Sequence, residues 1–213
     1  MDKVAELEKL KNEMAEDKTL PLQTNLVFGE GSPDCSVLFV GEAPGLNEDQ
    51  QKRPFVGRAG QLLRTCIREL GWREADVYIT NIVKRRPPEN RDPNEEEIEK
   101  YKPYLARQIE IINPKIVVPL GRFSMNYFLP LAKITRDQGK LFKADEHFIL
   151  PMLHPAAALR GNEAMKMFRD TFVKLPVALE KVEKNDFGER EVPEQREPAQ
   201  KKQKVEDVQS KLF

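Results

Sequence analysis

Metal-ligating residues are scarce in this sequence. Its 213 residues include only two cysteines, Cys35 and Cys66, and two histidines, and the cysteines form no CxxC pair. A disulfide framework or a multi-cysteine metal site needs more such residues than the chain supplies. Any chemistry that it performs is therefore expected to run without a protein-bound metal cluster.

An excess of one charge and long apolar runs are also lacking. Lys and Arg together number 35, as do Asp and Glu, so the formal net charge is zero. No stretch of about 18 apolar residues is present to span a bilayer, and the charged residues 1–18 do not resemble a signal peptide. We expect a cytoplasmic monomer with no membrane partner, in which any polyanion binds a local basic patch.

The chain divides into a core-forming part and a tail. Residues 1–183 carry enough apolar sequence for one domain, whereas residues 184–213 have mixed charges, two prolines and few apolar side chains. We predict a single domain over 1–183 and a disordered charged tail over 184–213.

Strand-like and helix-like apolar patterns alternate along the first part. Continuous apolar runs predict strands that are buried on both faces, and apolar residues at helical spacing predict the helices between them. The sequence therefore predicts an α/β fold, a three-layer sandwich with a central, mostly parallel four-stranded sheet. The strands are predicted at 36–40, 77–80, 115–120 and 147–153, and the main helices at 4–10, 59–70, 94–112, 121–128 and 163–181.

Distinctive residues follow each predicted strand. They are the glycine-rich segment from Gly41, then Asn81, Gly121 and His154. Ligands of parallel sheets bind at the carboxyl ends of the strands, so this coincidence predicts a site there. Taken alone the glycine-rich segment is weak evidence, because most such segments are simply turns and this one lacks the Lys-Ser/Thr ending of a P-loop.

Several sequence words occur in a fixed order over about residues 4–180. They are GEAPG at 41–45, RPFVGRAG at 53–60, YITNIVK at 78–84, RPPENR at 86–91 and HPAAAL at 154–159. Together they resemble the family 4 uracil-DNA glycosylases. That resemblance implies an enzyme that flips uracil out of DNA and hydrolyses its N-glycosidic bond, leaving an abasic site.

The resemblance also implies residues that hold the base. Phe55 is similar to the stacking aromatic of the family, and Asn81 to the residue that accepts a hydrogen bond from uracil N3 and donates one to O4. Cytosine presents the opposite pattern, so Asn81 would exclude it. Gly41 and Ala43 would line the substrate pocket.

Three further roles concern the reaction and its specificity. By resemblance, His154 donates a hydrogen bond to uracil O2 as negative charge develops there. Glu42 is similar to the family's acid, which either stabilises the sugar cation or positions the attacking water; the sequence leaves both open. Glu48 would lie near uracil C5, where it excludes the methyl group of thymine.

Two segments are candidates for contact with DNA. A basic cluster after the Asn-Ile-Val word either binds phosphates or is simply a solvated charged face. The loop after the His-Pro word is similar to the family's loop that enters the duplex. The residues are Lys84, Arg86 and Arg91 in the first segment and Ala158, Leu159 and Arg160 in the second.

The chain departs from the family at its iron–sulfur cysteines. Typical members hold a four-iron cluster with four cysteines, whose places here are taken by Met14, Asp17, Arg85 and Tyr101. We therefore predict a variant without the cluster and without any other cofactor. A related group has a Lys-Arg-Arg-Ile-His word whose histidine bonds to the sugar; this chain has no such histidine, which favours turnover over cross-linking.

The last residues, Gln209 to Phe213, resemble the short peptides by which replication and repair proteins bind the sliding clamp. Gln209, Leu212 and Phe213 are the matching positions, and a flexible tail would raise their local concentration. A non-catalytic uracil- or DNA-binding module tethered to the clamp is the alternative function. An esterase or nucleotide hydrolase on a similar sheet is a third.

Overall fold

The structure is a computed structural model that describes residues 2–144 and 146–185. Within them, the strands are β1 (Glu30–Gly31), β2 (Val37–Gly41), β3 (Val77–Asn81), β4 (Ile116–Pro119), β5 (Phe142–Ala144) and β6 (His147–Ile149). The helices are α1 (Lys3–Glu16), α2 (Leu46–Gln51), α3 (Arg58–Glu69), α4 (Glu95–Ile112), α5 (Gly121–Phe128), α6 (Ile134–Asp137), α7 (Pro155–Ala158), α8 (Asn162–Phe172) and α9 (Leu175–Lys184).

The strands form one mixed sheet in the order β1-β3-β2-β4-β6-β5. The four middle strands are parallel and are the four that the sequence predicts, while β1 and β5 pair antiparallel at the two edges. The prediction of only four strands is thus incomplete. The edge strands are two and three residues long, too short to give a periodic pattern.

Helices cover both faces of the sheet, which confirms the three-layer sandwich. On one face, α1, α4 and α5 pack over strand residues such as Leu38 and Val40. On the other, α3, α8 and α9 pack over their neighbours Val37 and Phe39. Since side chains alternate along a strand, burial of both faces explains why β2 is apolar at every position up to Gly41.

Two boundaries differ from the predicted ones because of proline. The helix predicted over 163–181 is two helices, α8 and α9, which are separated at Val173 and Lys174. Pro176 has no amide N–H and fits only the first turn of a helix, so it marks a new start. The strand predicted over 147–153 ends at Ile149, and beyond Pro151 only Met152 pairs again, with Leu120.

The parallel strands bring their carboxyl ends to one edge of the sheet. Gly41 at the end of β2 lies in register with Asn81 at the end of β3. The Leu120–Met152 bridge and a 2.8 Å hydrogen bond from the Gly121 N–H to the Met152 carbonyl align the segments after β4 and β6. None of the helices in the described part of the chain has the length and apolar character that a bilayer crossing requires.

Candidate active site

Three residues predicted to bind the base lie together at this edge. Asn81 and Phe55 are 2% and 6% exposed, and the ring centroids of Phe55 and His154 are 5.8 Å apart at an interplanar angle of 34°. A Cβ atom on Gly41 would lie 2.3 Å from Asn81 Oδ1 and 2.6 Å from Phe55 Cζ. The Phe55 ring thus lies close to both the Asn81 amide and the His154 imidazole, and Gly41 leaves room for Asn81 and Phe55 to approach each other.

Local structure fixes the orientation and protonation of His154. The residue caps the N-terminus of α7, and its Nδ1 accepts a hydrogen bond of 3.1 Å from the Ala156 N–H. Burial lowers the pKa of His154 to about 4, so the ring is neutral at pH 7. With Nδ1 acting as an acceptor, the ring proton is on Nε2, which is therefore a hydrogen-bond donor.

Gly121 allows His154 to approach the end of β4. Its φ of +86° lies in the left-handed region, and a Cβ there would lie 2.9 Å from His154 Cβ. Gly121 is one of the strand-end residues that predicted a site here, but the sequence indicated no role for it. A glycine directly after a buried strand was the available signal.

Glu42 follows Gly41 and is half-buried. Burial is the main cause that raises its pKa to about 7; nearby Asp92 raises it further, and Arg122 opposes the shift. The Glu42 carbonyl accepts a 3.0 Å hydrogen bond from the Val83 N–H, which ties the segments after β2 and β3 together. The sequence does not predict the effects of Asp92 and Arg122, because only the fold brings these residues near Glu42.

Glu48 holds the loop that carries Phe55. Its Oε1 accepts hydrogen bonds from the N–H groups of Val56, at 2.9 Å, and Gly57, at 2.8 Å. Its charge also acts on His154, whose pKa it raises against the effect of burial. Glu48 therefore stabilises the loop that carries Phe55. Its contact with uracil C5 stays a prediction.

Ala43 lies beside this region and is half-buried. Its side chain packs against the apolar cluster between the sheet and α1, α4 and α5. A contact between Ala43 and the substrate also stays a prediction.

Comparison with known proteins identifies the family. The model of the "Uracil DNA glycosylase superfamily" matches residues 28–176. The chain belongs to this superfamily. A "Type-4 uracil-DNA glycosylase" of Sulfurisphaera tokodaii is 47% identical over 182 residues, which cover 79% of this chain and 83% of that protein. Proteins with the same name from Archaeoglobus fulgidus and Thermotoga maritima are 41% and 46% identical, over 72% and 66% of this chain and 81% and 74% of their own.

The basic cluster of this superfamily member is largely engaged within the protein. Lys84 has no exposed surface, so its predicted contact with DNA phosphates is wrong. Arg86 Nε donates to Asn90 Oδ1 at 2.6 Å, and Arg91 forms two hydrogen bonds of 2.6 and 2.8 Å with Glu97. Contact of these two arginines with DNA stays a prediction.

The loop after His154 presents two of its three predicted DNA contacts to solvent. Leu159 is 39% exposed and Arg160 is also exposed. Ala158 is 1% exposed and packs into the core below α7, so its predicted side-chain contact with DNA is wrong. Ala158 ends the four-residue helix α7 and faces the core, while the next two residues face solvent. The sequence predicted only a loop here, so it did not indicate which of these residues would be buried.

Lys84 lies instead in a buried polar network. Its Nζ is 2.5 Å from both Thr80 Oγ1 and Gln108 Oε1, to which it donates. Thr80 Oγ1 and Gln108 Nε2 both donate to the Phe28 carbonyl, at 2.8 and 3.2 Å. Burial alone lowers the pKa of Lys84 well below that of a free lysine.

Lys84→Met is therefore expected to make the stability of the protein less dependent on pH between pH 7 and 10. Because the pKa of Lys84 is lower in the folded than in the unfolded chain, unfolding takes up a proton. This proton uptake lowers the stability of the folded protein. The effect is largest below the pKa of Lys84 in the folded chain and disappears as the pH rises to the pKa of a lysine in the unfolded chain, about 10.4. Denaturant titrations at pH 7 to 10 measure the unfolding free energy of each protein. The value for wild type minus the value for the variant should rise with pH. The same change at Lys115, which is exposed and pairs with Glu183, is the control for replacing a lysine outside the core. A flat difference for Lys84 would contradict the assignment.

The four positions of the family's iron–sulfur ligands do not fit such a cluster. Met14 and Tyr101 are fully buried in one apolar cluster, and the Tyr101 hydroxyl donates to the Pro21 carbonyl at 3.0 Å. Arg85 donates to the Thr24 carbonyl. Asp17 accepts from the Tyr104 hydroxyl at 2.6 Å. A thioether, a carboxylate, a guanidinium and a phenol cannot replace four thiolates.

The cysteines of the chain cannot supply the missing ligands. Cys35 and Cys66 are buried on opposite faces of the sheet, where burial raises the pKa of their thiols to about 12 and about 11. Among the described residues, no three His, Cys, Asp or Glu side chains cluster in a way that holds a metal ion. The segment 17–24 is held by hydrogen bonds to α4 and to Arg85 instead.

Purified protein is expected to contain less than about 0.1 mole of iron and of acid-labile sulfide per mole of chain, because thiolate ligands are missing. Iron and sulfide assays on protein produced with iron supplementation test this. A four-cysteine relative purified in parallel controls for loss of the cluster during handling. A brown preparation that absorbs near 400 nm would contradict the prediction.

Proposed function

We propose that this chain is a monofunctional DNA repair glycosylase that excises uracil from DNA. One observation supports the proposal: the ring of Phe55 lies close to both the buried amide of Asn81 and the neutral imidazole of His154, at the carboxyl ends of the parallel strands. A base inside a duplex cannot reach such a pocket, so the target nucleotide must leave the stack. Uracil-containing DNA is accordingly the proposed partner.

Recognition of uracil rests on its polar edge and its flat face. The Asn81 amide accepts from uracil N3–H and donates to O4, and cytosine offers the reverse pattern at these two atoms. The ring of Phe55 provides the stacking surface. Gly41 has no side chain that would occupy the space between Asn81 and Phe55.

Cleavage separates charge, and the site offers a group for each part. As the N-glycosidic bond breaks, electrons move to the base and negative charge collects on uracil O2, where His154 Nε2–H donates a hydrogen bond. The sugar becomes oxocarbenium-like, and the Glu42 carboxylate on the same edge of the sheet either stabilises that cation or orients the attacking water. Neither step uses a metal or another cofactor in this proposal.

The activity is tested with oligonucleotides that contain one uracil, single-stranded and paired with guanine or adenine. Alkali after incubation should cut the strand at the uracil position, because an abasic site has formed. Binding without cutting would favour the alternative, a non-catalytic module. Cleavage of free nucleotides or esters instead would favour the third alternative, an esterase or nucleotide hydrolase.

The rate of excision is expected to rise with pH around pH 7. Glu42 acts as a carboxylate in either role, and its pKa of about 7 sets the midpoint of kcat/KM, whereas His154 is already neutral above about pH 4. Asp92→Asn removes a like charge and should shift the midpoint down, while Arg122→Gln should shift it up. Profiles between pH 5 and 9 measure this. Equal profiles for the two variants would contradict the assignment to Glu42.

We propose that the tail binds the replication sliding clamp. We also propose that the protein is a cytoplasmic monomer apart from this contact. Gln209, Leu212 and Phe213 lie outside the described residues, so the proposal rests on the sequence pattern. Clamp contact would keep the enzyme near newly copied DNA without changing its pocket.

A further inference from the structure

Phe55 has a backbone conformation that phenylalanine rarely adopts. Its φ is +53°, in the left-handed region that favours glycine. Such a conformation persists only where surrounding contacts impose it, and these contacts then also fix the direction of the side chain. The groups that hold this backbone therefore determine where the Phe55 ring lies.

Two sets of contacts restrain the backbone around Phe55. Glu48 accepts hydrogen bonds from the two N–H groups that follow Phe55, as described above. The first turn of α3 packs directly on the Phe55 peptide: a Cβ on Gly60 would lie 2.0 Å from the Phe55 carbonyl carbon and oxygen. These contacts leave the carbonyl oxygens of this segment to be satisfied from elsewhere.

Arg64, one turn further along α3, satisfies them. Its Nε donates to the Phe55 carbonyl at 2.9 Å and its Nη2 donates to the Pro54 carbonyl at 2.7 Å. The residue is only 8% exposed. A planar guanidinium can hold two neighbouring carbonyls at once, which a lysine ammonium cannot do with the same geometry.

Two carboxylates fix the guanidinium in turn. Arg64 donates to Glu30 in the edge strand β1 and to Glu74 in the short 3₁₀ turn before β3. Arg53 binds the same Glu30 through hydrogen bonds of 2.7 and 3.1 Å. The position of Phe55 is thereby connected to the edge of the sheet.

We propose that Arg64 is a positioning residue for uracil excision, setting the plane on which the flipped base stacks by holding the carbonyls of Pro54 and Phe55. This inference rests on the proposed function and extends it to a side chain that does not touch the base. A displacement of about 1 Å in a reacting geometry can lower a rate about 100-fold. Loosening the Phe55 backbone is therefore expected to affect catalysis more than folding.

Arg64→Gln is expected to lower kcat/KM for a uracil-containing oligonucleotide by about 10-fold or more. Arg68→Gln is the matched control, because Arg68 lies one turn away on α3 and binds the same Glu74, at 2.6 Å, without touching residues 54–55. It should change kcat/KM less than about twofold. An equal loss in both variants would show that Glu74 pairing alone matters and would overturn the inference.

A double-mutant cycle with Phe55→Ala separates positioning from a merely structural role. If Arg64 acts through the ring, Arg64→Gln should change the rate of the Phe55→Ala protein by less than about twofold. The same factor in both backgrounds would overturn the inference. Should Arg64→Gln not fold, Arg64→Lys in the same cycle gives the answer, with a smaller loss expected because one donor is kept. An inactive wild type would instead refute the proposed function itself.

Discussion

His154→Ala should lower kcat for uracil excision by about 10²–10³-fold, the loss typical of removing one preorganised donor from a developing oxyanion. The donor is preorganised because the Ala156 N–H binds Nδ1 and leaves the proton on Nε2. The ring is also neutral at the working pH, so its hydrogen bond requires no change of protonation. Single-turnover rates with saturating enzyme measure the chemical step without product release.

His147→Ala provides the control for this variant. His147 is the other histidine and lies at the start of β6, at the end of the strand opposite to the site. Its Nδ1 lies 2.8 Å from the Pro114 carbonyl oxygen. Its single-turnover rate should stay within about twofold of wild type, since it touches no reacting group. A His154→Ala protein that melts like wild type and retains more than a third of its rate would show that His154 does not stabilise the leaving base.

Residues that depend on strand ends were the most predictable from sequence. Asn81 ends an apolar strand and His154 follows one, and parallel strands bring such positions to a common edge whatever the details of the loops. Continuous apolar runs also predicted the four parallel strands, because a strand covered on both faces has no polar side. For these residues the pattern and the tertiary structure agree.

Residues whose environment depends on packing between distant segments were not predictable. Lys84 belongs to a basic run that reads as a surface patch, yet it follows β3 so closely that it points into the core beside Gln108 of α4. In the sequence Arg64 resembles an ordinary helix arginine, and only the fold brings the segment 53–57 onto it. Sequence neighbours predict charge density, but only the fold decides which charges reach solvent.

Asn81→Ala is expected to lower kcat/KM for uracil by about 10²–10³-fold. The change removes two hydrogen bonds of about 1 kcal/mol each and leaves two polar atoms of the base unpaired in a dry pocket, for a total of about 3–4 kcal/mol. Each 1.36 kcal/mol corresponds to a tenfold change in rate. Steady-state assays on uracil-containing oligonucleotides, with thermal melts of the variant, give the measurement.

Asn81→Asp distinguishes loss of base reading from loss of shape. Aspartate has the size of asparagine and keeps an acceptor for uracil N3–H, but it presents a second acceptor to O4 in place of the amide donor. We expect a loss at least as large as that of Asn81→Ala, because two acceptors facing each other in a buried site repel. Near-wild-type activity of the aspartate variant would show that O4 is not read by this side chain. The specificity for uracil over cytosine would then have to come from another part of the pocket.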